Sequence, residues 1–408
     1  MRILILGLNY IPESTSIGPY TADLAEFLVT QGHDVQIVTA FPSAPHWRIW
    51  PEYRGRWYMS ETIRQVKIFR TYIYVPSDPR SAFRRILFDL SFSVSAFIGS
   101  LRSGPYDLVV AISPPLQLGI TGWLLSRWKR VPFLLHIQDM VAEAAVAAGT
   151  LSARSMPVRI ARVLEKFLFK HSDGIGVICE GFKRAISEAG ADLRKIHLLP
   201  NSIDLDFIQP CERTNEFRNR HGLCPADFVL MYSGSISSKQ GLEILVEAAA
   251  FIQDPAIKIV IVGDGARLPE IRKRASDLTL TNVLFLPLQP RETLSAQLGA
   301  ADLLVITQKP AVKDIVFPGK LLYYMAAQRP ILAIVNPDSE TGRFVTTERV
   351  GSVVPPDSPE AVAEAIVHLK TLRLTELGRN ARCTAERYFD RKTVLPAFNI
   401  LLEDLGQG

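Results

Sequence analysis

Strand-length runs of Val, Ile and Leu recur along nearly the whole chain, each followed by a helix-length amphipathic segment. In the first half the runs are Arg2–Leu8, Asp34–Ala40, Val66–Val75, Tyr106–Ser113, Pro132–Asp139, Gly174–Cys179 and Lys195–Pro200. In the second half they are Phe228–Ser233, Ile257–Val262, Asn282–Pro287, Asp302–Thr307, Ile331–Val335 and Gly351–Val354. Many are continuous rather than alternating, as parallel strands covered on both faces require. Strands interleaved with helices imply right-handed βαβ units and open, doubly wound sheets. A chain of 408 residues exceeds one ordinary core, so two domains of roughly 200 residues are expected. The pattern restarts near Phe228, after prolines and polar residues interrupt it between Leu199 and Pro225. The expected class is therefore α/β, with Rossmann-like domains at 1–205 and 206–388. Residues 389–408 read as a terminal helix with Val394, Leu395, Phe398, Leu401 and Leu402 on one stripe.

With 48% hydrophobic and 21% charged residues, the composition excludes a disordered or collagen-like chain. Four scattered cysteines, Cys179, Cys211, Cys224 and Cys383, form no C-x-x-C pair, which argues against a zinc knuckle and a disulfide framework and for a reducing compartment. No run reaches the roughly 18 apolar residues of a spanning helix; Ile86–Leu101 is short and carries Asp89. The first residues, Met1–Gly7, make a strand rather than a signal peptide. Residues 1–205 hold 23 Lys and Arg against 17 Asp and Glu, whereas residues 206–408 hold 23 against 24. The basic excess thus sits in the first half, where it suits an anionic surface or a solvated face.

Several strand ends carry residues suited to phosphate. A loop that leaves a strand and opens a helix presents unpaired N–H groups and the positive end of the helix dipole. Ser14–Tyr20 and Ser233–Gly241 have this form, and Lys239 adds a cation to the second. Gly263-Asp264-Gly265 makes a further glycine-rich turn, and Lys313–Ala327 opens another helix behind a short loop. None matches G-x-G-x-x-G or a P-loop, which removes the main support for a dinucleotide oxidoreductase or a nucleoside triphosphatase. Asp204-Leu205-Asp206 spells a D-x-D, but in the proposed linker rather than at a strand end, so no metal site is expected there. On the run Phe133–Asp139, His136 and Gln138 share a face, and Asp139 ends the strand where open sheets place ligands.

In order along the chain, Asn9–Glu13 with Gly18–Thr21, Gly32–Val35, Ile137–Asp139, Leu199–Asp204, Tyr232–Gly234 with Lys239–Glu243, Gly263–Gly265, and Phe317–Lys320 with Met325–Ala327 resemble glycosyltransferase family 4. The similarity is greatest to its exopolysaccharide, colanic-acid-type branch. The resemblance implies a GT-B fold, with two Rossmann-like domains facing a cleft and the last helix crossing back to the N-terminal domain. It implies retaining transfer from a nucleotide-diphosphate sugar, without metal or other cofactor. Donor-binding residues would be Gly18, Gly234, Lys239, Gly263, Gly265, Asp314, Lys320 and Tyr323. Asp139 and Lys239 would serve the reacting centre, and Tyr20 and His136 the acceptor. The acceptor is expected to be a lipid-linked glycan, with the protein cytoplasmic and peripheral on an anionic membrane and no nucleic-acid partner.

The chain departs from the family pattern. The positions of the E-x7-E glutamates hold Ile315 and Tyr323, with Asp314 adjacent, and Ser235 stands where a basic residue often follows the glycine. A GT-B protein that binds without catalysis is therefore the alternative reading, followed by a sugar-nucleotide epimerase or a phosphorylase. Chemically, transfer needs no carboxylate nucleophile here. Charge builds on the leaving diphosphate, and fixed N–H dipoles and a lysine stabilise it.

Overall fold

The computed structural model describes residues 1–407 except 14–16, 45, 79–80, 141, 144–145, 147–150 and 311–316. Residues Met1–Asn201 and Val394–Gly408 form one compact unit, and Ser202–Thr393 form the other.

The first unit runs β1 (Arg2–Leu6), α1 (Gly18–Thr30), β2 (Asp34–Ala40), β3 (Tyr58–Ile63), β4 (Val66–Thr71), α2 (Ala82–Ser100), β5 (Leu108–Ser113), α3 (Leu116–Lys129), β6 (Phe133–Ile137), α4 (Met156–His171), β7 (Gly174–Val177), α5 (Glu180–Glu188) and β8 (Ile196–Leu198). Its sheet order is β3-β4-β2-β1-β5-β6-β7-β8. Every pairing is parallel except β3 with β4. The order reverses between β1 and β5, and that switch point opens at the strands' C-terminal ends. Continuous apolar runs give fully buried strands: Ile3, Leu4, Ile5 and Leu6 of β1 and Leu108–Ile112 of β5 are enclosed. Gly32 ends α1 in a left-handed conformation, φ 84°. Its N–H reaches Val29 O and that of His33 reaches Leu28 O, and the chain turns at once into β2.

Strand β3 was not apparent in the sequence. Its residues alternate between half-buried and exposed, so no apolar run marks it. The hairpin to β4 turns through Arg64 and Gln65, both left-handed (φ 49° and 68°), in a position usually signalled by Asn-Gly. Across this pair the fully buried Arg70 donates to Glu61 at 2.5 Å and to the Ile11 carbonyl at 2.5 Å.

The second unit comprises α6 (Glu216–Arg220), β9 (Phe228–Ser233), α7 (Glu243–Ala249), β10 (Ile257–Val262), α8 (Leu268–Asp277), β11 (Val283–Leu286), α9 (Leu294–Gly299), β12 (Leu303–Thr307), α10 (Lys320–Ala326), β13 (Ile331–Ile334), α11 (Glu340–Thr347), β14 (Gly351–Val354), α12 (Pro359–Thr371) and α13 (Thr375–Tyr388). All its pairings are parallel, in the order β11-β10-β9-β12-β13-β14. Here the order reverses between β9 and β12. The terminal helix, α14 (Arg391–Gln407), returns the chain to the first unit. Of its expected stripe, Leu395, Phe398, Leu401 and Leu402 join the core formed by Ile3, Leu24 and Leu28, and Val394 is buried outside that cluster. Asn399 on the same helix meets His33 Nε2 at 2.7 Å.

Candidate functional site

In the second unit, the glycine turns predicted to face phosphate meet at the C-terminal ends of β9 and β10. Gly234 N donates to Val262 O and Ile236 N to Asp264 O, both at 2.9 Å, so the two turns run edge to edge. This approach requires glycine. A Cβ on Gly263 would lie 2.0 Å from the Gly234 carbonyl oxygen, and Gly263 adopts φ 153°. Gly265 is constrained in the same way, 2.3 Å from Ile236 O. The turn bearing Lys239 is tied to the end of β12 by a 3.1 Å bond from Lys309 N to Lys239 O. Lys239 itself is half-buried.

Lys320, at the start of α10, enters the same corner. Its Nζ lies 3.7 Å from the centroid of the Tyr232 ring and would be 3.4 Å from a Cβ on Gly234. The ammonium is buried and has no hydrogen-bond partner among the described residues. Burial alone pushes the lysine down to about 7, since a desolvated charge without a counter-ion is disfavoured. A quadrupolar ring face offsets part of that cost. A second orphan, the buried Thr307 Oγ1, ends β12. Extending the β12–β9 register from Leu304 opposite Met231 brings Thr307 level with Gly234. The switch point of this sheet is therefore lined by a cation and a hydroxyl whose partners the described residues do not supply.

The residues that hold this corner were given no role in the sequence, although Tyr232 and Ser233 lie in a stretch that carries the resemblance. Tyr324 Oη accepts from Ser233 N at 2.8 Å and donates to Ser233 O at 3.1 Å, fixing the last residue of β9. Gln297 Nε2 donates to Ser233 Oγ at 2.8 Å, and Tyr232 Oη donates to Ser235 O at 2.6 Å. No motif marked Gln297 or Tyr324 for this task. One available signal was the i, i+4 spacing that places Tyr324 on the same helix face as Lys320. Tyr323 is half-buried on α10, and Asp314 lies outside the described residues, as does Ile315.

In the first unit, Gly18 opens α1 and is buried, and Tyr20 is half-buried in the same first turn. A Cβ on Gly18 would come within 3.3 Å of Glu13 O and 3.4 Å of Tyr10 N. The loop is pinned by the buried Glu13 carboxylate, which accepts from Ser43 N and Ala44 N at 2.7 Å and from Asn9 Nδ2 at 2.9 Å. Asp139 is half-buried two residues past β6. His136, expected to serve the acceptor, is instead a core residue. It is 4% exposed, lies edge-on to Phe398 at 5.2 Å, and is 3.3 Å from Leu199 O. Burial pushes its ring down to about 4, so it stays neutral and enclosed. The D-x-D carboxylates have other partners. Asp204 accepts from Asp206 N and Phe207 N and pairs with Arg391 at 2.8 Å. Asp206 pairs with Lys392 at 2.8 Å.

Two family models match the chain, the glycosyl transferase 4-like domain over residues 15–202 and glycosyl transferases group 1 over residues 227–371. The putative colanic acid biosynthesis glycosyl transferase of Escherichia coli (strain K12) is 30% identical over 406 residues, covering 98% of both chains. A probable glycosyltransferase of Pseudomonas aeruginosa is 24% identical, covering 78% of this chain and 81% of its own. Among solved structures, sucrose-phosphate synthase from Thermosynechococcus elongatus superposes with a TM-score of 0.80 at 18% identity, covering 99% of this chain and 98% of that one. Anabaena HepE in complex with UDP-glucose superposes with a TM-score of 0.70 at 17% identity, over 99% of this chain and all of that one. Two parallel α/β sheets in this order, full-length similarity and both family models together establish that the chain belongs to glycosyltransferase family 4, with the GT-B fold.

Proposed function

We propose that the protein transfers a sugar, with retention, from a nucleoside-diphosphate sugar to a lipid-linked glycan in surface polysaccharide assembly. The observation that carries this reading is Lys320, whose buried ammonium, without a hydrogen-bond partner among the described residues, stands over Tyr232 beside the Gly234 turn. A diphosphate there supplies the missing counter-charge. Gly263 and Gly265 leave backbone exposed for close approach, and Lys239 adds a second cation. As the bond from anomeric carbon to phosphate oxygen breaks, negative charge gathers on the departing diphosphate. Preorganised donors in a dry site stabilise that charge, each worth roughly 10²–10³ in rate. In this scheme lysines take the neutralising role that a cation held by D-x-D plays elsewhere, and here those carboxylates are engaged with Arg391 and Lys392. The residues 1–205 would serve the acceptor through Gly18, Tyr20 and Asp139.

The reading draws support from the neighbouring structures bound to UDP and UDP-glucose and from the colanic-acid-type relative. Calorimetry with a panel of nucleotide sugars, followed by turnover with a polyprenyl-diphosphate-linked acceptor, tests it. Binding and transfer of one donor are expected; no binding to any of them would end the proposal. A second reading, binding without transfer, is favoured by Tyr323 and Ile315 at the glutamate positions. It predicts donor binding without turnover in the same assay.

A further inference from the structure

Helix α2 is apolar on its outer face as well as on its inner one. From Ile86 onward, its exposed residues are Ile86, Leu87, Leu90, Val94 and Ile98, with Leu101 just beyond. These positions, together with Phe83, follow the i, i+3, i+4 spacing of one helical stripe. Phe83 is 69% exposed, Leu90 46% and Val94 52%. The inward face mixes the buried Phe88, Phe92 and Ala96 with Ser93, Ser95, Gly99 and Ser100, and Ser91 is half-buried at its edge. Its hydroxyls are satisfied: Ser95 donates to Tyr72 O at 2.5 Å, Ser91 accepts from Tyr74 N at 2.9 Å, and Ser100 donates to Ala96 O at 2.7 Å. A helix whose outer face meets water carries polar residues there, and an exposed apolar stripe this long marks an interaction surface.

The apolar face continues on α3. Thr121 of α3 donates to Ser93 O at 3.2 Å. Leu124 and Trp128, at i+3 and i+7 from Thr121, share its stripe and are 43% and 56% exposed. Cations border this surface. Arg84 and Arg85 stand in the first turn of α2, Arg102 lies just past its end, and Lys129 lies over the Trp128 ring at 4.5 Å. The only carboxylate of α2, Asp89, is half-buried, and burial pushes it up to about 7, so the helix brings little negative charge to the surface. The first unit holds 23 Lys and Arg against 18 Asp and Glu, whereas the second is balanced at 23 and 23.

We infer that the outward face of α2, extended by Leu124 and Trp128, seats the first unit in the interfacial layer of an anionic lipid bilayer. This deepens the lipid-facing part of the proposed function by naming the surface and its partner. Insertion stops at the interface. No described helix is long and apolar enough to cross a membrane, and the inner face of α2 is locked to β4, where a Cβ on Gly99 would lie 2.7 Å from Thr71 and 2.9 Å from Phe69. An amphipathic helix held flat in this way gains from apolar burial and from the attraction of nearby Lys and Arg to anionic headgroups.

Sedimentation with vesicles of phosphatidylcholine alone and of phosphatidylcholine with phosphatidylglycerol (about 3:1) tests this in the full chain, without donor or acceptor. Binding to the anionic vesicles at least ~10-fold tighter than to neutral ones is expected, and about 1 M salt should reverse most of it. Leu90→Ser/Val94→Ser should abolish binding, and R84E/R85E should weaken it and flatten its salt dependence. These positions are surface-exposed, so far-UV CD and nucleotide-sugar affinity should remain those of the parent. Equal recovery in the supernatant with both lipids would overturn the inference, as would full vesicle binding by the double serine variant. A dimer in sedimentation velocity that the serine variant splits, without vesicle binding by either protein, would assign the face to a second copy and also overturn it. Donor binding is read separately, so failure on vesicles leaves the donor site untouched.

Discussion

Replacing Lys320 with Met separates the lysine's cost to the empty protein from its use to the bound one. The side chain keeps its length, and a thioether sits well against the Tyr232 ring, so packing is nearly conserved. Burial lowers the lysine from 10.5 to about 7, which corresponds to ~5 kcal/mol at 1.36 kcal/mol per tenfold change. The ring face at 3.7 Å returns ~1–2 kcal/mol, leaving ~3 kcal/mol of native-state destabilisation. An unfolded lysine binds its proton up to pH 10.5 while the folded one releases it near 7. The penalty is therefore full below pH 7 and fades as the pH approaches 10.5. Lys320→Met should accordingly raise the Tm of the unliganded protein by roughly 6–12 °C at pH 6.5, and by progressively less toward pH 10. A charge-assisted hydrogen bond contributes ~1.5–3 kcal/mol, so the same change should weaken nucleotide-sugar affinity ~10–100-fold. Differential scanning fluorimetry across pH and titration calorimetry measure the two effects. A fall in Tm would mean that Nζ has a stabilising partner, and unchanged affinity would mean that no phosphate sits there. Either result refutes the reasoning.

Lys239→Ala should lower kcat/KM by at least ~10²-fold, about 2.7 kcal/mol, with an unchanged CD spectrum, because its role is toward a developing charge rather than the fold. Equal turnover would show that the turn does not face the donor. Donor affinity should also decline with pH: above about 7, binding must recharge Lys320 by taking up a proton, so Kd should rise by up to tenfold per pH unit in calorimetry. A pH-independent Kd between 6 and 9 would contradict this. Gly263→Ala should destabilise the second unit by more than ~2 kcal/mol in urea denaturation, given a φ of 153° and a carbonyl 2.0 Å from the new methyl. At Tyr323, a ribose contact predicts that Tyr323→Ala weakens donor binding and that Tyr323→Glu, which restores the family's usual arrangement, keeps it, whereas packing alone predicts a change in Tm with affinity intact.

Periodicity is a local property, and it made much of this protein legible without coordinates. The Val/Ile/Leu runs became β1, β2 and β4–β14, the restart near Phe228 marked the second sheet, and the apolar stripe of α14 landed in the first unit's core. The glycines at 234, 263 and 265 were also readable, because Gly263 and Gly265 pass too close to another backbone segment to carry a Cβ and all three adopt positive φ. What the sequence left open depends on partners distant along the chain. Strand β3 exists because of its pairing with β4 and the burial of Arg70, and its Arg64–Gln65 turn carries no conventional signature. Whether His136 faced a ligand or the core depended on Phe398, some 260 residues away. The D-x-D carboxylates were spoken for by Arg391 and Lys392, which only the return of the last helix brings near. For α2, the sequence showed an apolar segment behind arginines, but only packing against β4 and α3 decided that its serines turn inward and its leucines outward. Lys320 was one lysine in a family motif until the fold closed Tyr232 beneath it. Local pattern specifies which residues lie in a strand or helix, whereas burial and charge compensation are sums over neighbours that only the tertiary structure assembles.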